Sequence, residues 1–413
     1  MKPFSRRFAV GLLAAGLVGC GAGSQSSVVP GAAEDVRRFQ AELERIHPNP
    51  YHATSREEFG RRFDELAARA GSLDRDELIV ELMRVMALLG ERDGHSGIYT
   101  LHTGHPRPMH LYPLRAYWFS DGLSIVGGAT PGAKLVAVAG VPIDDLVARV
   151  RPLITRDNEW SLRERVPFFI VCAEVLRGLG VVDDDGPVTF TLETAAGRSD
   201  VRLDAVEAGE YIQRFPYFWQ PPAPPPGRPA PLWVRYRGTP QAVTTLQRGR
   251  VVYAAYTVTQ DPDQMVARIL RLARKPAFRR LVVDVRQNGG GNNATYGPLL
   301  QALRNRWVVR RSRPVVLTSR TTFSAAGNFV AEVKQFTRAR IVGEPPGGSG
   351  NQWGDFAPVT LPNIGLELLV ATVYVERGPD GDTTPATEPH VRVEASTADW
   401  LAGRDPALQA ALR

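Results

Sequence analysis

The run Leu281-Val282-Val283-Asp284-Val285, followed by Arg286-Gln287-Asn288-Gly289-Gly290-Gly291, constrains this chain most. Aliphatic residues on both sides of a single acid, without polar alternation, mark a strand buried on both faces. Such a strand belongs in a layered α/β sheet rather than in a helical bundle. It leads into three glycines, which permit φ > 0 and let backbone N–H groups approach a ligand closely. The surrounding rhythm agrees. After about residue 241, segments 251–256, 281–285, 314–318 and 340–342 read as strands. Segments 262–274, 293–305 and 325–336 read as helices between them, a pattern of parallel pairing.

The rest of the chain reads differently. Residues 32–90 carry three helices. Phe39, Leu43 and Ile46 share one face of the first. Ser55 with Glu58 starts the second and Asp74 with Glu77 the third, each as a capping box, and Gly90 stops the third. From 98 to 206 the pattern is short strands and turns, at 123–126, 134–139, 188–192 and 201–203, interrupted by one helix near 161–178. Seven prolines between 221 and 231 form a stiff connector or exposed loop and the best domain boundary.

The N-terminus reads as a targeting segment. Lys2, Arg6 and Arg7 precede an apolar run from Phe8 to Val18, and Leu17-Val18-Gly19-Cys20 ends it in small residues before a cysteine. This is similar to a bacterial lipobox, with Cys20 lipidated as the mature N-terminus. A plain secretory signal is the alternative. Ser5-Arg6-Arg7 hints at the twin-arginine route. With Cys20 acylated, Cys172 lacks a disulfide partner, and its setting in Phe169-Ile170-Val171-Cys172-Ala173 reads as inert core. The net charge of +7 comes without a basic run, and only four of the 50 basic residues are lysine, so nucleic acid is not expected as a partner.

Two segments could do chemistry. The glycine loop suits an oxyanion hole, a phosphate cradle or simply a tight glycine turn. Gly289 to Ala294 even fits G-x-G-x-x-A, but it stands late in the chain, and Arg310 and Arg311 occupy the region where an acidic ribose ligand is wanted. Thr321-Thr322-Phe323-Ser324-Ala325-Ala326-Gly327 follows a strand and opens a helix. Ser324 there is either a helix N-cap or a nucleophile beside the free N–H of Ala325. A nucleophile needs a base. Lys334 is ten residues along the same helix, about 15 Å away. Among the seven histidines, His102, His105 and His110 have loosely metal-like spacing but read as a solvated loop, while His95 sits in the tight turn Asp93-Gly94-His95-Ser96-Gly97 and taken alone reads as a surface-turn histidine, though the turn could project it into a cleft.

Together these pieces resemble the tail-specific (C-terminal processing) serine peptidase superfamily, in its tricorn-core and interphotoreceptor-retinoid-binding-protein-like branch. The resemblance rests on Ile46-His47-Pro48-Asn49-Pro50-Tyr51, on Leu89 through Ser96, on Asp284 through Gly291, on Phe323-Ser324-Ala325-Ala326 with Ile341-Val342-Gly343-Glu344, and on Glu388-Pro389-His390-Val391. It spans about residues 35–410. It implies an α/β chain with an N-terminal helical segment, a β-rich PDZ-like middle segment and a C-terminal ClpP/crotonase-like α/β catalytic domain. The expected segments are a signal peptide 1–19, a tether 20–31, a helical segment 32–97, a β-rich subdomain 98–215, a proline-rich linker 216–240 and a catalytic domain 241–413.

The resemblance also implies Ser324 as nucleophile and the N–H groups of Ala325 and Gly290 as the oxyanion hole. The family's lysine-containing loop reads here Gly343-Glu344-Pro345-Pro346-Gly347-Gly348-Ser349-Gly350-Asn351, without lysine. The histidine arrangement therefore fits, with His95 as general base. Gly94 stands where that arrangement has a serine. Asp382 or Glu376 stands nearest the expected acid, and His390 replaces an aspartate. The reading is an exported, lipid-anchored endopeptidase of the cell envelope acting on peptides or proteins, with no metal or organic cofactor implied. A catalytically inactive binder of peptides or small ligands in the same fold is the first alternative, and a nucleotide-dependent enzyme the second. Substrate identity and oligomeric state are not legible.

Overall fold

The structure, a computed structural model, describes residues 28–311 and 313–413. The segment 1–19 and Cys20 lie outside the described residues. Helices α1 (Ala32–Ile46), α2 (Arg56–Arg69) and α3 (Arg75–Met86) form where the apolar spacing placed them. Asp74 and Glu77 make the reciprocal capping box of α3. At α2 only half of the expected box forms. Ser55 accepts the Glu58 N–H, but the Glu58 carboxylate turns to Arg61 and Arg62. Phe63 ties α1 to α2, its ring 5.1 Å from that of Phe39 and 5.2 Å from that of Phe59.

The middle segment is an antiparallel sheet of β1 (Arg115–Phe119), β2 (Gly122–Gly127), β3 (Lys134–Val138), β4 (Val188–Thr194) and β5 (Gly197–Leu203), paired in that order, with the short strand Val141–Pro142 added beside β3. Helix α4 (Ile143–Val150) packs on it. The single helix expected near 161–178 is two, α5 (Glu159–Phe169) and α6 (Ala173–Gly178). Pro167 lacks an N–H, and the backbone at the break is used elsewhere: Tyr112 donates its N–H to the Val171 carbonyl, and Leu111 bridges to Cys172. Cys172 stands at the N-cap position of α6 and is fully buried, and burial pushes its thiol pKa well up.

Beyond residue 240 lies a six-stranded sheet. Its strands are β6 (Gln241–Leu246), β7 (Val251–Tyr256), β8 (Arg280–Asp284), β9 (Val315–Thr318), β10 (Arg340–Gly343) and, at its far edge, Val391–Arg392. Only β6–β7 is antiparallel; the other four pairings are parallel. Along β7 every residue is buried, because the sheet is covered on both sides. Val252, Ala254 and Tyr256 face the core built with helices α7 (Asp263–Ala273), α8 (Gly297–Arg304) and α9 (Ala325–Phe336), and Tyr253 and Ala255 face the one completed by Ala407 and Ala411 of the C-terminal helix Pro406–Leu412. Helix α8 starts four residues later than expected. Asn292 Oδ1 accepts the Ala294 N–H and the Asn292 carbonyl accepts the Thr295 hydroxyl, a local turn that competes with helix.

Two features join the parts. The hairpin Ala357–Leu361 with Leu366–Val370 buries Val359, Leu361, Leu366 and Leu368 in the core of α1–α3 and the middle sheet. The proline segment runs as coil across both halves. Trp400 donates its indole N–H to Ala223 at 2.9 Å, and Arg115 donates to the Gln220 carbonyl at 2.6 Å. It roofs a cavity of about 90 Å³ whose walls include Tyr117, Trp233 and Trp400. Among the described residues no helix is long and apolar enough to cross a membrane.

Candidate active site

Strand β8 ends at Asp284, whose carboxylate is tied to Arg286, and Arg286 reaches Asp405 on the far side at 2.8 Å. This buried cluster fixes where the glycine loop begins. Asn288, fully buried, then orders the loop: its Oδ1 accepts the N–H of Gly290 at 3.0 Å, and its Nδ2 donates to Tyr256. Gly290 and Gly291 have φ of 124° and 142°, which glycine alone adopts without strain. The Gly290 carbonyl accepts the Thr259 N–H at 2.8 Å.

Strand β9 delivers the second loop. The turn after Thr318 is pinned to the end of β8, with Ser319 donating to Arg286 O at 2.6 Å and Thr322 to Val285 O at 2.9 Å. Beneath it Arg320 and Glu344 form a buried ion pair. Phe323 donates its N–H to Asn288 O, joining the two loops. Ser324 follows at φ 52° and ψ −131°, a conformation that costs a non-glycine residue about 1–3 kcal/mol. It stands at the N-cap position of α9 but does not cap it. The N–H groups of Ala326 and Gly327 go to the Phe323 carbonyl, and the Ser324 hydroxyl turns away. Its Oγ lies 2.9 Å from Nε2 of His95.

His95 comes from the turn after α3, and the backbone on either side of it is held. Gly94 N–H goes to Asp157, Gly94 O accepts from Tyr99 and Arg165, and Ser96 N–H goes to Asp93. An added Cβ at Gly94 would lie 2.8 Å from Asp157 Oδ1 and 3.0 Å from the Phe323 ring, so the serine of the related arrangement does not fit. The imidazole stacks on Phe323 with centroids 4.7 Å apart and is 8% exposed. Burial, with the nearby Arg165 charge, lowers its pKa to about 4, while Asp93, the Trp353 carbonyl and Asp355 act in the opposite sense. His95 is therefore neutral at pH 7. Where Nε2 accepts the Ser324 hydroxyl proton, Nδ1 carries the ring proton, and Nδ1 makes no hydrogen bond of normal geometry.

The expected acids are elsewhere. Glu376, exposed, accepts from the Gly381 N–H, and Asp382, half-buried, accepts from the Thr384 N–H. They are held there by Asn351, which accepts the N–H groups of Arg377 and Gly378 and donates to the carbonyls of Pro379 and Asp382. Neither touches His95. Of the two expected oxyanion donors, the Ala325 N–H is without a partner among the described residues, whereas that of Gly290 is occupied by Asn288.

Sequence reasoning missed a second buried group, His47, His52 and Asp93, whose ligand-type atoms lie within 4.8 Å of one another. Asn49 donates its N–H to His47 Nδ1, so His47 Nε2 bears the proton and donates it to Asp93 at 2.9 Å. A cation would have to displace that proton; the arrangement suits a hydrogen-bonded network. Burial acts to raise the Asp93 pKa, but bonds from the histidines outweigh it and hold it at about 2. Trp353 packs on both rings, 4.7 Å from His47 and 5.1 Å from His52. His102, His105 and His110 bind separately, to Glu367, Tyr99 O and Glu174.

No protein-family model and no curated protein sequence matches the chain. Solved structures do. Mature CPAF is 15% identical, with 92% of this chain and 95% of that chain covered at a TM-score of 0.58. CPAF complexed with lactacystin is 15% identical, with 93% and 98% covered at 0.58. The photosystem II D1 C-terminal processing protease matches more loosely, at 14% identity and a TM-score of 0.41 over 92% and 99%. The chain shares the fold of CPAF, a fold of the kind that the motif resemblance implied.

Proposed function

We propose that this chain is a serine peptidase that cleaves peptide bonds by acyl transfer, with Ser324 as nucleophile and His95 as general base. The observation that carries this is the 2.9 Å contact between Ser324 Oγ and His95 Nε2, made by a strained serine that gives its own helix no cap. As Oγ attacks the substrate carbonyl carbon, its proton passes to His95 Nε2. The carbonyl oxygen becomes an oxyanion facing the free Ala325 N–H at the positive end of α9. His95 then gives the proton to the departing amine, leaving an acyl-Ser324. Water attacks that ester, again with His95 as base, and frees the serine. A base with a pKa of about 4 is weak but fully available at neutral pH. The buried Asp93 charge and the Trp353 carbonyl favour the imidazolium that forms.

The unpartnered Nδ1 of His95 favours a second reading, a peptide binder that uses the same cleft without turnover. A fluorophosphonate probe separates the two. The peptidase should be labelled at Ser324, and the Ser324→Ala protein should not. A wild type that binds peptides yet resists the probe would establish the binder.

We also propose that the chain is exported and anchored to the cell envelope through a lipid on Cys20, supported by Leu17-Val18-Gly19-Cys20 behind a basic start. Each buried CH₂ contributes about 0.8 kcal/mol, so two or more acyl chains anchor firmly. The wild type should sediment with membranes and Cys20→Ser should not. Recovery of the wild type in the soluble fraction would defeat the anchor.

A further inference from the structure

Asp157 stands between the two loops that meet at Ser324 and His95. It is fully buried, two residues before α5. One carboxylate oxygen accepts the Gly94 N–H at 2.6 Å, and the other accepts the Ser349 N–H at 2.9 Å. Gly94 directly precedes His95. Ser349 directly follows Gly348, which underlies the nucleophile: its N–H goes to Thr322 O at 3.1 Å, and an added Cβ there would lie 2.8 Å from the Ser324 nitrogen. The backbone of Asp157 is fixed too. Its N–H goes to Ser161 Oγ at 3.1 Å and its carbonyl accepts from Arg92 at 2.9 Å. One immobile carboxylate thus holds a backbone N–H from each side of the reacting pair while touching neither reacting atom.

We propose that Asp157 is a positioning residue whose ionised carboxylate clamps the His95 loop to the loop beneath Ser324 and so sets the distance across which the proton moves. The proposal rests on the reading of Ser324 and His95 as a reacting pair. The chemistry requires an acid here. Both oxygens face N–H donors, which a carboxylate satisfies and an amide cannot, because its NH₂ would oppose one of them. Gly94 is the matching adaptation, since a Cβ would collide with Oδ1.

The clamp also has a pH dependence. Burial raises the Asp157 pKa to about 7, against the pull of the Ser349 and Gly94 N–H groups and of Arg165, with Asp93 adding to the rise. Tyr99 also faces it. Protonation turns one acceptor oxygen into an O–H group and weakens its hold on an N–H. The rate should therefore rise as pH increases through about 7. His95, neutral above about 4, adds no step in that range.

The test is the rate of fluorophosphonate labelling at Ser324 between pH 5 and 9, in the full-length wild type and in Asp157→Asn. The wild type should show a step near neutrality. The variant should be about 10²-fold slower at pH 8, the effect of misplacing reacting atoms by about 1 Å, and should lack the step. A loss of folded protein alone would scale the rate equally at every pH and leave the step in place. A variant that keeps the wild-type rate and step overturns the proposal. If the variant does not fold, the wild-type profile still decides, because a flat profile from pH 5 to 9 overturns it. A wild type that is never labelled defeats the Ser324–His95 reading itself, whereas a labelled wild type with a flat profile defeats only the clamp.

Discussion

Replacing Ser324 with alanine will abolish peptide hydrolysis, and replacing His95 as well will cost almost nothing more. The two side chains are 229 positions apart and meet at 2.9 Å. A serine hydroxyl is a poor nucleophile until its proton has somewhere to go, and an imidazole without the hydroxyl has no proton to take. Each single loss should lower kcat/KM by about 10⁴-fold or more, and the double loss should match the larger single loss. Folding should survive Ser324→Ala. The hydroxyl caps no helix, so the roughly 1 kcal/mol that a lost cap would cost is not at stake. The measurement is a double-mutant comparison on a peptide substrate, beside thermal unfolding of each protein. Losses that multiply would mean that the two residues act independently, and full activity in either single variant would end the mechanism.

The two residues were nominated together only through the motif resemblance; taken alone, each local segment also fits a helix cap or a surface turn. A serine between a buried strand and a helix, and a histidine in a tight polar turn, are features of a few consecutive residues. What surrounds them was legible only in part. Asp382 and Glu376 were nominated by their place in the chain. Asn351 instead gathers 376–382 into a surface loop, and no local pattern encodes that long-range bonding. Asp157 was missed for the converse reason. In sequence it is an acid before the cap Asn158, which is ordinary; its meaning comes from two N–H groups 63 and 192 positions away. The Ser324 alternatives, cap or nucleophile, could not be separated by composition, since both want a serine in that place. They separate on where Ala326 and Gly327 send their N–H groups.

The fold followed the same division. Period and capping located the helices and the buried strands, because those depend on residues a few positions apart. The break between α5 and α6 follows the one local warning, Pro167, that the apolar run obscured. The hairpin at 357–370 was not read from the sequence, and it completes the core of helices α1–α3, which begin from 282 to 325 residues earlier. Only the fold brings those surfaces together.

The glycine loop offers the sharpest test of close packing at the site, because two neighbouring glycines should respond oppositely. At Gly290 an added Cβ would fall 2.6 Å from Ser324 Cβ and 3.1 Å from Oγ, at a φ of 124°. Neither side can yield easily. Gly290 is held through its N–H by Asn288 and through its carbonyl by Thr259, and Ser324 is pinned between Phe323 and the first turn of α9. Gly290→Ala should therefore displace the nucleophile or the loop and lower kcat/KM by about 10²-fold, the effect of misplacing reacting atoms by about 1 Å. At Gly289 the added Cβ would meet only the Trp219 ring, at an ordinary 3.8 Å, and φ is not positive. Gly289→Ala should stay within a few-fold of wild type, as expected for a substitution without a steric mechanism. Steady-state kinetics on the two variants decides the matter. Equal losses would mean that the loop tolerates no side chain anywhere. An active Gly290→Ala would mean that the loop stands farther from Ser324 than this packing requires.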